Sequence, residues 1–143
     1  MKKLRILHIH HALYIPHLIV KGLRNKGYKA HNVYYNFNGP SKDLTWACDF
    51  NLKSGYWGLF PQIAFFIKSL FNYDVFHFWG NPYMIEALFY GLYHPLFWDL
   101  ALLKKFKKKI VFSSDGCFSM IKPTSWKKFV DRDICHICQT TQG

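Results

Sequence analysis

The sequence predicts an α/β protein built on an open parallel sheet with flanking helices. Three observations carry that prediction. β-rich runs at 4–10, 29–35, 74–79 and 109–113 alternate with helical stretches. The first run is apolar enough to be covered on both faces, as a central parallel strand must be. Later runs end, like the first, in loop-forming or polar residues, so several strand ends face one crevice, where open parallel sheets bind ligands.

The first unit is Leu4-Arg5-Ile6-Leu7-His8-Ile9-His10, a loop over 11–15 and a helix over 16–26. Pro16 stands near the first helical position, Leu18, Ile19 and Leu23 form the apolar set, and Gly27 occupies the stop position. Residues 29–35 form the second strand, rich in β-formers at its end. Region 36–58 is the least regular: the turn cluster Asn38-Gly39-Pro40-Ser41 predicts a long loop, with a short element around 44–50. A helix follows over 59–71 with Pro61 in its first turn, then a third strand over 74–79, ended by Gly80-Asn81-Pro82. A helix over 83–105 is expected to break near His94-Pro95, because proline removes a donor and crowds the preceding turn. The fourth strand centres on Ile110-Val111-Phe112, and a turn-rich stretch beyond Cys117 leads to a short helix at 125–130. No closing helix or strand follows. A four-stranded sheet would leave an apolar edge unpaired, so the chain reads as incomplete.

With 143 residues, half of them apolar and 20% aromatic, the chain can bury the core of one domain. Nineteen basic against 8 acidic residues give a net charge of +11, which favours acidic partners: nucleotides, anionic lipid or nucleic acid. Nucleic acid is disfavoured, because no recognised module is present and the lysines cluster at helix ends. The basic start Met1-Lys2-Lys3-Leu4-Arg5 resembles a secretory signal, but His8, His10, His11 and His17 interrupt any apolar core. As membrane spans, 59–70 is too short and carries Lys68, and 83–103 is interrupted by Glu86, His94, Pro95 and Asp99. The expectation is a cytoplasmic protein with peripheral contact at the inner face of the membrane. Lys104, Lys105, Lys107, Lys108 and Lys109 around Phe106 suit anionic lipid head groups, and equally suit a helix C-terminus and its solvated face.

Several chemistries lack their motifs. No G-x-G-x-x-G follows the first strand, and neither G-x-x-x-x-G-K-[ST] nor G-x-S-x-G occurs. The histidines at 8, 10, 11 and 17 have no carboxylate close in sequence, so loop or ligand contact is favoured over a metal. No metal and no cofactor are predicted. The four cysteines read as reduced thiols. Cys135-x-x-Cys138 is half of a zinc pattern, with Cys117 and His136 as further candidate ligands; incidental thiols, zinc and redox use all stay open.

Four segments stand in a telling order: Ile6-Leu7-His8-Ile9-His10-His11-Ala12, Ile15-Pro16-His17-Leu18-Ile19-Val20-Lys21-Gly22-Leu23-Arg24, Tyr73-Asp74-Val75-Phe76-His77-Phe78-Trp79-Gly80, and Lys109-Ile110-Val111-Phe112-Ser113-Ser114-Asp115-Gly116-Cys117. As a set they resemble the N-terminal half of a GT-B glycosyltransferase, the group that includes the family 4 retaining enzymes. The resemblance implies a Rossmann-like, acceptor-side domain over 1–143, facing a donor-binding C-terminal domain that these residues do not contain. It implies sugar transfer from a nucleotide-sugar to the hydroxyl of a sugar or lipid-linked acceptor, with the chain inactive alone. It places substrate-binding groups at His10, His11 and Gly80, and a candidate catalytic group at Asp115. Family members often carry His-Gly at the end of the fourth strand; here Asp115-Gly116 stands instead, a departure from the usual role. Beside these, His77 reads as facing the core or a helix, or else as part of the site, and Trp79 and Tyr83 as either core or a stacking face for a pyranose. Asp115 reads as either base or turn cap with Gly116. The alternative function is a non-catalytic acceptor- or membrane-binding module.

Overall fold

Parallel strands need partners on both edges and cover on both faces, and the central apolar runs meet both demands. A computed structural model describes residues 3–10, 14–36, 48–53, 55–79, 83–85 and 98–113. In chain order the elements are β1 (Arg5–His10), α1 (Tyr14–Asn25), β2 (Lys29–Asn36), β3 (Phe50–Lys53), a 3-10 turn (Tyr56–Gly58), α2 (Leu59–Asn72), β4 (Val75–Trp79), α3 (Trp98–Lys105) and β5 (Lys109–Ser113). All five strands run parallel in the order β3-β2-β1-β4-β5. The fold is therefore α/β, an open Rossmann-like parallel sheet with flanking helices, as the sequence predicts.

Strand alternation divides the side chains between two layers. Leu7 and Ile9 of β1, Val33 and Tyr35 of β2, and Phe76 and Phe78 of β4 share one core with Phe66 and Leu70 of α2 and Leu103 of α3. Each such burial contributes about 1.5–3 kcal/mol, a large share of a domain's typical net stability of about 5–15 kcal/mol. The opposite face of β2, with Ala30, Asn32 and Tyr34 buried, carries α1. Gly58, at the entry to α2, has no room for a Cβ, which would collide with the Lys53 carbonyl.

Among the described residues the sheet has five strands, not four. The strand missed by the sequence reading is β3, which begins where the short element around 44–50 was expected to end. Only Phe50 and Leu52 turn inward, while Asn51 and Lys53 stay exposed, so two apolar residues are too few to make a periodic signal. Its register rests on polar contacts instead. The Asn32 N–H donates to Asp49 Oδ2 and the Asp49 N–H donates to Asn32 Oδ1, both at 2.9 Å. Arg24 of α1 pairs with Asp49 at 2.7 Å and donates through Nε to the Ala30 carbonyl at 2.8 Å.

Two helix boundaries also shift. α1 begins at Tyr14, so Pro16 is its third residue, where the missing donor is still one that a helix start leaves unpaired. Residues 83–85 are not helical, against the expected helix over 83–105. The Met84 N–H is taken by Asp99 Oδ2 at 2.6 Å, and the Met84 carbonyl accepts the Tyr35 hydroxyl at 2.5 Å. The expected break at His94-Pro95, the turn cluster at 38–41 and the short helix at 125–130 lie outside the described residues. Among the described residues β5 is an edge strand, with Val111 and Phe112 exposed.

α1 and α3 stop by the same pair of hydrogen bonds. Gly27 N–H to Arg24 O (2.8 Å) and Tyr28 N–H to Leu23 O (3.0 Å) close the first; Lys107 N–H to Lys104 O and Lys108 N–H to Leu103 O, both 2.9 Å, close the second. The left-handed residue is Gly27 (φ 77°) in one and Lys107 (φ 54°) in the other. A side chain in that conformation costs about 1 kcal/mol. Lys107→Gly should therefore raise the unfolding free energy by up to about 1 kcal/mol in a urea titration; a loss of stability would show that the lysine side chain contributes more than its backbone strain costs.

The central strands are clasped at their starts by Arg5 and Asp74. Arg5 donates through Nε to Asp74 Oδ2 (3.0 Å), through Nη2 to Oδ1 (2.9 Å) and through its backbone N–H to Oδ2 (3.0 Å). The Asp74 N–H returns a bond to the Arg5 carbonyl at 2.8 Å. The Arg5 side-chain hydrogen bonds hold the Asp74 carboxyl well below the usual carboxylate range. The unfolded chain binds that proton more tightly, so the stabilisation is complete above about pH 4 and is lost as pH falls below it. Asp74→Asn should cost about 1–2 kcal/mol at pH 7 for this partly exposed pair. Denaturant titrations of the two proteins should converge toward pH 2–3, and a gap of constant size down to that pH would contradict the account.

Candidate functional site

The strand order reverses between β1 and β4: the chain leaves β1 toward β2 and β3 on one side, and leaves β4 toward β5 on the other. In open parallel sheets such a switch point opens a crevice at the carboxyl ends of the two strands. His10 ends β1, Trp79 ends β4 and Ser113 ends β5.

Register and alternation bring four side chains together on the sheet face opposite the α2–α3 core. His8 of β1 stands directly beside His77 of β4, and Leu7, Ile9, Phe76 and Phe78, which alternate with them, fill the other face. The His8 and His77 rings lie 4.9 Å apart between centroids, and the His77 and Trp79 rings 4.7 Å apart and tilted by 30°. Trp79 Nε1–H donates to His8 Nδ1 at 3.3 Å, so a neutral His8 carries its own proton on Nε2. His77 Nε2 and Ser113 Oγ are hydrogen-bonded at 2.7 Å.

This cluster offers an aromatic surface beside neutral imidazole and hydroxyl groups, a combination suited to a ligand carrying both apolar faces and hydroxyls. Among the described residues no carboxylate joins the His77–Ser113 pair. Asp49 pairs with Arg24, Asp74 with Arg5, and Asp99 accepts the backbone N–H groups of Met84 and Leu100. Among the described residues no group of three metal-ligating side chains is found.

His77 and Trp79, both named by the sequence, thus come together, on the sheet face opposite the α2–α3 core. His10 lies at the end of β1, paired with Tyr34. Tyr83 is buried and leaves no face for a ligand. His11, Gly80, Asp115 and Gly116 lie outside the described residues, as do Cys117, Cys135, His136 and Cys138. Sequence reasoning missed His8 and Ser113 as members of one cluster. The signal available was the strand period of two, but which strands are neighbours had to be known before it could be used.

Two grooves lie away from the switch point. One, of about 330 Å³, runs beside α1 past Lys21, Arg24, Cys48 and Asp49. Burial, with a smaller push from Asp49, raises the Cys48 thiol to about 11, so the thiol keeps its proton. The other, of about 370 Å³, lies between the start of β2 and α2, lined by Lys29, His31, Phe50, Phe65 and Tyr73. Burial first, and Asp49 second, push Tyr73 up to about 12, and burial lowers His31. The Tyr73 hydroxyl therefore keeps its proton, and it is hydrogen-bonded to His31 Nδ1 at 3.0 Å.

Burial likewise lowers the pKa of His77 below its ordinary 6.5. The neutral ring is the form the fold favours, so its share of stability is complete above about pH 6.5 and declines as pH falls below it. In an NMR titration of the imidazole carbons His77 should protonate with a midpoint under 6.5; a midpoint at or above that value would contradict a desolvated ring.

The chain matches no protein-family model, no curated protein and no solved structure.

Proposed function

We propose that the chain is the acceptor-side domain of a GT-B-type glycosyltransferase, which with a donor-binding domain moves a sugar from a nucleotide-sugar to an acceptor hydroxyl. The observation that supports this reading is the pair of half-buried rings His77 and Trp79 at the switch point, backed by the buried His8 and with Ser113 beside them. In this reading Trp79 offers its ring to the apolar face of a pyranose, and His77 and Ser113 engage its hydroxyls. His10, His11 and Gly80, at or beyond the ends of β1 and β4 in sequence, contribute further contacts. Asp115, two residues past Ser113, orients or deprotonates the acceptor hydroxyl, with Gly116 allowing close approach. In this reading the partners are a nucleotide-sugar and a sugar or lipid-linked acceptor, and the acceptor falls to this chain.

A second reading, a non-catalytic acceptor-binding module, draws on the lack of any described carboxylate at the His77–Ser113 pair. Saturation-transfer NMR on the purified chain with a panel of oligosaccharides and nucleotide-sugars tests the shared core of both readings. Saccharide protons should receive saturation, and Trp79→Ala should weaken that binding at least about tenfold, the size expected for a lost aromatic contact. Absence of saccharide contact at millimolar ligand, or binding indifferent to Trp79→Ala, would sink the proposal. Sugar transfer on adding a donor domain, abolished by Asp115→Asn, separates the enzyme from the module.

A further inference from the structure

α2 is apolar on both sides. Gln62, Phe66, Ser69 and Leu70 turn into the protein, while Phe60, Ile67 and Phe71 are 82%, 52% and 65% exposed on the other side. Their spacing of seven and four residues sets them in one line along the helix, with exposed Ala64 between them. Trp57, in the 3-10 turn that leads into α2, is 86% exposed. At the far end Phe106, past the end of α3, meets Phe71 edge-on at 6.0 Å and is itself exposed. The result is a ridge about 20 Å long, from the helical rise over residues 57–71. A helix that is apolar all round is ordinarily buried all round, and among the described residues this one is covered on one side only.

Among the described residues the charges around the ridge have one sign. Lys68 lies on α2 beside it, and Lys104, Lys105 and Lys107 stand exposed around Phe106. The described carboxylates Asp49, Asp74 and Asp99 are each held elsewhere by Arg24, Arg5 or backbone N–H groups. A second copy docked ridge to ridge would set these lysines against their like. An anionic lipid surface takes both parts of the pattern: aromatic and aliphatic side chains enter the boundary between head groups and acyl chains, and lysines stay at the phosphate level. Among the described residues no helix is long and apolar enough to cross a membrane, so the contact is one of lying in the surface.

We propose that Trp57, Phe60, Ile67, Phe71 and Phe106, with Lys68, Lys104, Lys105 and Lys107, form a docking face that seats the protein on anionic membrane with α2 in the plane of the interface. This rests on the ridge and its charge alone and does not depend on the sugar-transfer reading. It also differs from a purely electrostatic lysine contact, because the apolar ridge carries the binding.

Vesicle flotation of the full chain tests it, with phosphatidylcholine vesicles with and without 30% phosphatidylglycerol as a chosen probe, about that fraction giving a negative surface potential. The protein should float with the anionic vesicles and at least about tenfold less with the neutral ones. Phe60→Ser with Phe71→Ser should reduce anionic binding at least about tenfold while leaving the circular dichroism melt intact, because both rings are exposed. On the unmodified protein, tryptophan fluorescence should be quenched by lipids brominated near the top of the acyl chain. No binding to anionic vesicles would overturn the proposal. So would full binding by the double variant without quenching in the unmodified protein, which would mean charge alone holds it. A dimer in light scattering that the double variant dissociates would assign the ridge to a second copy instead.

Discussion

The parallel pairing of β1 with β4 is the constraint on which the rest of the molecule depends. It joins residues about seventy positions apart, and every other element is placed relative to it: β2 and β3 to one side, β5 to the other. The pairing is held along its length by Ile6↔Val75, Leu7↔Phe76, His8↔His77 and Ile9↔Phe78. At its start Arg5 and Asp74 add a two-armed charged clasp with backbone hydrogen bonds in both directions. Because side chains alternate between faces, one register sends Leu7, Ile9, Phe76 and Phe78 to the core and His8 and His77 to the opposite layer. A slip of one residue in either strand would bury the wrong face of that strand.

The two sheet faces consequently do different work. The α2–α3 side is an apolar core, held chiefly by buried area and joined by the buried bonds of Tyr35 and Asp99 to the Met84 backbone. The face opposite it on β1, β4 and β5 holds imidazole, indole and hydroxyl groups that pair with one another near the strand ends. Such groups contribute little to folding compared with an apolar filling of the same volume.

The three described carboxylates show a similar division. Asp74 joins β1 to β4, Asp49 joins α1, β2 and β3, and Asp99 ties the non-helical segment at Met84 to the first turn of α3. Structural duty absorbs the negative charge, so the surface of the described region is left cationic. The positive balance of the whole sequence, +11, thus holds for the described region too, where these three carboxylates are the acidic groups.

Much of this was legible in the chain. The alternation of β-rich and helical runs, the glycine stop of α1 at Gly27, α2 over nearly its full length and the strand ends at His10 and Trp79 follow from local propensity and period. β3 was not legible, because two inward residues make no pattern and its register is held by Asn32 and Asp49, seventeen positions apart. Residues 83–85 carried helix-forming neighbours, yet Asp99 and Tyr35 claim the Met84 backbone across fifteen and forty-nine positions. The candidate site divides likewise: the sequence named His77 and Trp79, but their union with His8 and Ser113 required the neighbouring strands to be known. What the sequence by itself determined was the fold class, the strand-end residues and the excess of positive charge, all consequences of local propensity and composition. Only the tertiary structure decided which strands are neighbours, which side of each faces the core and which side of α2 stays uncovered, because those depend on contacts between residues far apart in the chain.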